Sequence, residues 1–334
     1  IILTGLFIGV KVYVALDTTV LNCTFNSTNG VEDDTSQGTT VSDCVFNGTI
    51  SGIFAYGSSG LKVLDNTLTN STSGIVMEDT YDSRMSGNTL SGNQVDIGLY
   101  TCSNMMIDGN VIEGSRTETS GIFLSNSMFV TMYSNAIEDG AIIFDVNFDW
   151  DTVNSHTIAE NNTVGGKPVY YYSSMDYGGL ETPDDGGQII IVSSSNLVVT
   201  GLQTTSCTIP VQVYSSMSIG LYDLRLTGSG VGVSMIDSSD VRIEDSVIAD
   251  MAMGILGRHV SQVYIGHSHL VDNHDGIFMS NAIGMCDNIT IEHNLIENSH
   301  RYGVLFDGVD DSRIAYNVIA NSTSYGARIM ATNN

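Results

Sequence analysis

The sequence predicts an all-β chain, a right-handed single-stranded parallel β-helix (a solenoid) of about 14 coils of about 22 residues. Two observations carry this. Val211, Val233, Ile255 and Ile277 follow one another at an unbroken step of 22 residues. Within each step apolar residues alternate at period two, as in Val241 and Ile243, Val263 and Ile265, and Ile289 and Ile291, which is the spacing of a strand and not of a helix. Short strands recurring at a fixed period bury a face only by lying on one another, each coil bonded to the coils above and below. Right-handedness follows from the general hand of parallel crossovers.

Extended in both directions, the first-strand column reads Val10, Val31, Ile53, Ile75, Ile97, Ile122, Ile142, Val169, Ile189, Val211, Val233, Ile255, Ile277, Val304 and Ala327. A second column holds Leu68, Leu90, Ile112, Ile137, Leu226, Ile248, Leu270, Ile296 and Ile319. A third places Asn66, Asn88, Asn110, Asn135, Asn294 and Asn317 at one turn. There an amide ladder donates from coil to coil, and Asn accepts the left-handed backbone of a sharp bend. One frame throughout makes residues 1–334 a single domain, with loop insertions near 145–187 and 281–287.

The apolar opening, IILTGLFIGVKVYVAL, is read as coil and not as a signal peptide, because the offset from Val10 to Cys23 returns from Val31 to Cys44 and from Ile53 to Asn66. Neither end of the repeat is capped, so the sequence is expected to be a piece of a longer chain.

Composition narrows the class of partner. With 37 acidic residues against 11 basic ones, the surface repels nucleic acid and anionic lipid, and direct membrane insertion is not expected. A saline habitat, loading with Ca2+, or the solubility of an exported rod each accounts for the acidity. Seven N-x-S/T sequons, at Asn22, Asn26, Asn47, Asn70, Asn161, Asn288 and Asn321, are candidate glycosylation sites if the chain is exported. They also match what β-helix turns are made of. Cys23 and Cys44 lie one coil apart in the column that Asn66 continues, within disulfide reach; Cys102, Cys207 and Cys286 are expected to be unpaired.

The stretch from Asp145 to Gly187 departs from the repeat and carries Trp150, Tyr170 and Tyr172 beside acidic residues. Rings beside carboxylates suit a sugar-binding surface, and equally suit packing under a long loop. Within it, Asn161 to Tyr172 reads NNTVGGKPVYYY. This resembles the N-T-V-x-G-K-P-V-Y-Y stretch of right-handed β-helix proteins of archaeal cell surfaces and of the NosD-like and carbohydrate-binding repeat (CASH) families. Repeats such as Ser59 to Leu68 carry the resemblance along nearly the whole chain. It implies an exported β-helix at the cell surface, often one module of a large protein. Some relatives act on polysaccharides, and NosD is associated with copper delivery. The D-P-H-E signature of alginate epimerases and the paired-Asp motifs of polygalacturonases have no match.

Six of the seven His lie between His259 and His300. The frame stacks His267 with His293 and His274 with His300, and continues the first pair back through Asp245 and Asp223. Imidazole beside carboxylate is a ligand set for zinc, copper or nickel at Asp223, Asp245, His267 and His293, or an acid–base pair. His267, His293, Asp245 and Arg258 are thus the candidate catalytic residues of a lyase or epimerase, with Arg242, Glu244, His259, Asp272, Asp275 and Arg301 nearby. Repeated turn residues copied by duplication explain the same pattern.

Finally, the position after the first-strand column should face outward, yet holds Phe54, Val76, Phe123, Ile143, Tyr170, Ile190, Leu256, Phe278 and Leu305. Such a stripe is expected to be covered by another copy of the chain or by another surface-protein module. The leading function is a structural cell-surface or secreted module. The alternatives are a polysaccharide lyase, epimerase or hydrolase, and a glycan- or metal-binding module.

Overall fold

The computed structural model describes residues 1–114, 121–145, 150–282 and 285–330, with the side chains of residues 150 and 151 excepted. These residues form two compact units, Ile1–Val169 and Tyr170–Asn334. Both are parallel β-helices built almost entirely of strands.

In the first unit each coil contributes one strand to each of three sheets. The longest strands, from Ile8–Tyr13 to Ala141–Asp145, pair in the expected register: Val10 on Val31, Val31 on Ile53, Ile53 on Ile75, Ile75 on Ile97, Ile97 on Ile122 and Ile122 on Ile142. Alternate side chains point inward, and Val31 to Ile142 in this column are fully buried. The second-strand column pairs Leu68, Leu90, Ile112 and Ile137 in turn. Below it, Phe25 and Phe46 stack with centroids 4.6 Å apart.

Close packing requires glycine at one position in successive coils of the first unit, at Gly9, Gly30, Gly52 and Gly74. A Cβ at Gly52 would lie 2.7 Å from both the Gly74 carbonyl oxygen and Leu68 Cδ2, a distance no neighbouring backbone relieves.

The step from Ile142 to Val169 does not hold. Val169 lies in Lys167–Ser173, which turns back through Gly165 and Gly166 to pair antiparallel with Thr163–Val164. Those glycines have φ of 57° and 73°, the left-handed pair a two-residue hairpin turn requires. A hairpin, and not extra turn residues within a coil, fills this step. A single frame misses it because the hairpin strand carries the same apolar alternation.

The second unit repeats the coil in its own frame. Ile189, Val211, Val233, Ile255, Ile277, Val304 and Ala327 pair in order, as do Leu226, Ile248, Leu270, Ile296 and Ile319. Val263 pairs with Ile289, so the insertion near 281–287 falls in a turn between the strands Asp275–Ser280 and Cys286–Glu292; residues 283 and 284 lie outside those described.

The outward apolar stripe is not an open face. Val76 and Ile143 in the first unit, and Tyr170, Ile190, Leu256 and Leu305 in the second, are at most 9% exposed, while Phe54, Phe123 and Phe278 are half-buried. Alternation fixes direction, not cover. Tyr170, for example, donates its hydroxyl to Asp185 at 2.8 Å beneath the loop that holds Gly186. Much of this stripe is thus covered by the chain itself. Among the described residues no helix is long and apolar enough to cross a membrane.

Candidate functional site

His267 and His293 sit just past the strands Ser261–Gly266 and Cys286–Glu292. The chain bends there through one left-handed residue per coil: Asp223, Asp245, His267, His293 and Tyr316 have φ between 47° and 60°. Asp and His tolerate that region better than most residues. All five side chains are exposed. Because in-register side chains project the same way, His267 and His293 stack at 5.2 Å with 4° between their planes, and Tyr316 stacks on His293 at 5.1 Å and 9°. The expected His pair is brought together. Tyr316 belongs to the same column and was not anticipated.

Face-to-face rings set their nitrogens in parallel and not toward a common point. Among the described residues no group of three or more His, Cys, Asp or Glu side chains is placed to hold a metal ion. Asp223, Asp245, His267 and His293 thus form a line of turn residues and not a convergent ligand set, and Asp223 accepts from Arg225 at 3.0 Å. Arg258 closes Met253–Arg258, a strand of a different sheet from the one preceding His267, so this candidate is not gathered with the histidines.

The other His are mostly paired with carboxylates. His259 Nδ1 meets Asp237 Oδ1, and His269 Nε2 meets Glu297 Oε1 at 2.9 Å, each pair joining neighbouring coils. His300 lies over His274, its N–H bonding the Asn273 carbonyl as the His274 N–H bonds the Met251 carbonyl one coil earlier. Asp275 pairs with Tyr302, so the one extra residue of this coil enters at Arg301, between His300 and that pair. Arg301 reaches back to Asp275, whose side chain is 1% exposed, through Nε to Oδ1 at 2.9 Å and Nη2 to Oδ2. That fork neutralises a carboxylate taken out of water.

Of the aromatic candidates, Tyr170 is buried, and Tyr172 is half-buried and packs against the core of the second unit. Trp150 opens the short helix Trp150–Asn154, and its side chain lies outside the described residues.

Cys23 and Cys44 are adjacent as expected, and both are buried free thiols. Cys23 N–H donates to Cys44 Sγ at 3.4 Å, and that thiol turns to the Ser42 carbonyl at 3.1 Å. Burial pushes the Cys44 thiol up. Burial also pushes Cys102 up to about 11 and Cys207 up to about 12, which keeps these sulfurs protonated and poor nucleophiles.

A second arrangement lies on the outer side of the sheet formed by Ser195–Thr200, Met217–Tyr222 and Ser239–Glu244. A cleft of about 510 Å³ opens there beside the strand Asp176–Glu181. Its register slips between Asp176 and Leu180, where Gly178 and Gly179 take φ of 62° and 89°. Along one wall Asn196, Ser218 and Asp240 stand one coil apart. Ser218 Oγ donates to Asp240 Oδ2 at 2.8 Å, and Asn196 Nδ2 to Asp176 Oδ1 at 2.8 Å. Arg242 donates to Glu244 at 2.6 Å, and its guanidinium lies 4.1 Å from the Tyr264 ring centroid. The sequence signalled this cleft only through glycines interrupting an outward column.

Comparison with known proteins gives the following. No curated protein matches the chain. Among solved structures, the alginate lyase AlyF-OU02 is 12% identical over 99% of this chain and 84% of its own, with a TM-score of 0.32. The A-module of mannuronan C-5 epimerase AlgE4 from Azotobacter vinelandii is 13% identical over 94% and 89%, with a TM-score of 0.31. PfbA, a surface adhesin of Streptococcus pneumoniae, is 7% identical over 82% and 85%, with a TM-score of 0.31. The family described as periplasmic copper-binding protein (NosD) matches twice, over residues 8–177 and 160–334, and the chain belongs to that family.

Proposed function

We propose that this chain is a structural β-helix module of an exported protein, working in the periplasm or at the cell surface. The observation that supports it best is the use made of the polar side chains that sequence reasoning nominated for chemistry. His267 stacks on His293, and His259, His269 and Arg301 each bond a carboxylate one coil away. Groups tied to the next coil in this way stitch the stack.

The family's description supports the location. All seven sequon asparagines are exposed, which makes each accessible to glycosylation in a host that performs it. Copper is no part of this reading: the donors are stacked or dispersed as described above, and the family's metal finds no three-donor set among the described residues. Fractionation of the source cell, with an antibody against this chain, is the test. The proposal expects the protein in the periplasmic or surface fraction. Recovery in the cytoplasm would overturn it.

A further inference from the structure

The geometry points to Cys23 and Cys44 as a redox-gated staple: a thiol pair that an external disulfide oxidises to a covalent link between two neighbouring coils of the first unit. The pair has a built place. It occupies the turn that Asn66 continues, where Asn66 Oδ1 accepts the Cys44 N–H at 3.0 Å and Cys44 Sγ in turn accepts the Cys23 N–H at 3.4 Å. Thr24 pairs with Val45, and Val45 N–H donates to the Cys23 carbonyl at 2.8 Å. This register sets the two Cα atoms at the coil spacing of about 4.8 Å, inside the span of a disulfide.

Little holds the sulfurs apart. Cys23 Sγ turns to the Leu21 carbonyl at 3.4 Å and Cys44 Sγ to the Ser42 carbonyl at 3.1 Å, and a thiol is a weak donor. Where the amide rungs below make two bonds per step, this rung makes one N–H to sulfur bond. A covalent link would close the rung that is weakest while reduced. The other three cysteines set the contrast. Cys102, Cys207 and Cys286 stand more than one coil from each other and from this pair; Cys102 N–H meets Ser127 Oγ in the next coil at 3.1 Å.

The chemistry is thiol–disulfide exchange. Cys23, 7% exposed against 1% for Cys44, is the sulfur an oxidant reaches first. Its thiolate attacks the external disulfide, forms a mixed disulfide and expels one thiolate; the Cys44 thiolate then attacks Cys23 Sγ and expels the second. The chain loses two protons and two electrons, and the oxidant's disulfide becomes two thiols.

Occurrence in the cell rests on the exported location proposed above, where disulfides persist; a test in solution reads the chemistry alone. The full chain, unfolded and reduced, is refolded with oxidised glutathione, and its remaining thiols are alkylated in denaturant. No Lys or Arg stands between Lys11 and Lys62, so one tryptic peptide, 12–62, carries both sulfurs. The expected result is peptide 12–62 unalkylated and two hydrogens lighter than its dithiol form, Cys102, Cys207 and Cys286 alkylated, and a thermal midpoint that falls on adding dithiothreitol. In Cys23→Ser the link and the dithiothreitol effect should both vanish. Alkylation of both Cys23 and Cys44 in the wild type, a link to any other cysteine, or a midpoint indifferent to dithiothreitol would overturn the proposal, and the wild-type map decides even where the variant fails to fold.

Discussion

The two units use one coil plan with different spines. In the first, Asn66, Asn88, Asn110, Asn135 and Asn162 form a buried ladder in which the Oδ1 of each Asn from Asn88 on accepts both the backbone N–H and the Nδ2 of the preceding Asn, at 2.8–3.2 Å. In the second, the corresponding turn begins with serine. Ser246 Oγ accepts from Leu224 N–H at 3.1 Å and Ser268 Oγ from Ser246 N–H at 3.2 Å, before Asn294 and Asn317 restore the amides. An amide makes two bonds per step where a hydroxyl makes one. The spine with fewer bonds belongs to the unit whose outer face carries the stacked rings, the Arg–carboxylate pairs and the cleft.

This contrast sets the expected effects. Asn88→Leu keeps the volume but orphans the Asn66 N–H, takes one of two acceptors from Asn66 Nδ2, and removes the donor that Asn88 Nδ2 brings to the Val63 carbonyl at 2.9 Å. At about 1–3 kcal/mol per buried orphan, a loss of roughly 3–5 kcal/mol is expected in denaturant titration. A loss under about 1 kcal/mol would mean that the ladder is not the spine.

His156 gives the first unit a pH dependence. It is buried, accepts from Val130 N–H at 3.2 Å through Nδ1 and stacks on Phe144. Burial brings its pKa down to about 4. The folded pKa lies below the unfolded one, so the unfolded chain binds the proton first on acidification. The stability is present above the ordinary His pKa of about 6.5 and is lost as pH falls through 4, a loss on the order of 3 kcal/mol. His156→Asn retains an acceptor without titrating. Thermal scans from pH 7 to pH 4 should show a steep loss in the wild type that this variant lacks.

Ser246→Ala removes one acceptor from a buried N–H, and a loss of about 1–2 kcal/mol is expected. Asp33 contributes the smallest effect, of opposite sign. It faces inward between Val12 and Ala55, with Oδ2 unpartnered, and burial raises its pKa. A raised carboxyl favours the fold while protonated, and that contribution fades as pH rises. Asp33→Asn should therefore stabilise the chain at pH 7 and change little near pH 3; equal midpoints at pH 7 would refute this.

Much of this was legible in the sequence because a solenoid writes its contacts as a period. The columns through Ile53 and Ile255, the ladder from Asn66 to Asn135 and the pairing of His267 with His293 follow from counting alone. Counting failed where the chain changed direction without changing alternation. The hairpin at Gly165 and Gly166 hid Asn162, the next rung, and one added residue, Arg301, entered between His300 and Tyr302. The cleft was illegible for another reason: it is made by side chains that are missing at Gly178 and Gly179.

The proposed function has the histidines and carboxylates of the second unit joining neighbouring coils in place of turnover. Incubating the chain with alginate, polygalacturonate and neutral glycans, and following unsaturated products and new reducing ends, tests it most directly. The account predicts no product from wild type and an equal absence of product from His267→Ala. Product formed by the wild type and abolished in His267→Ala would contradict it.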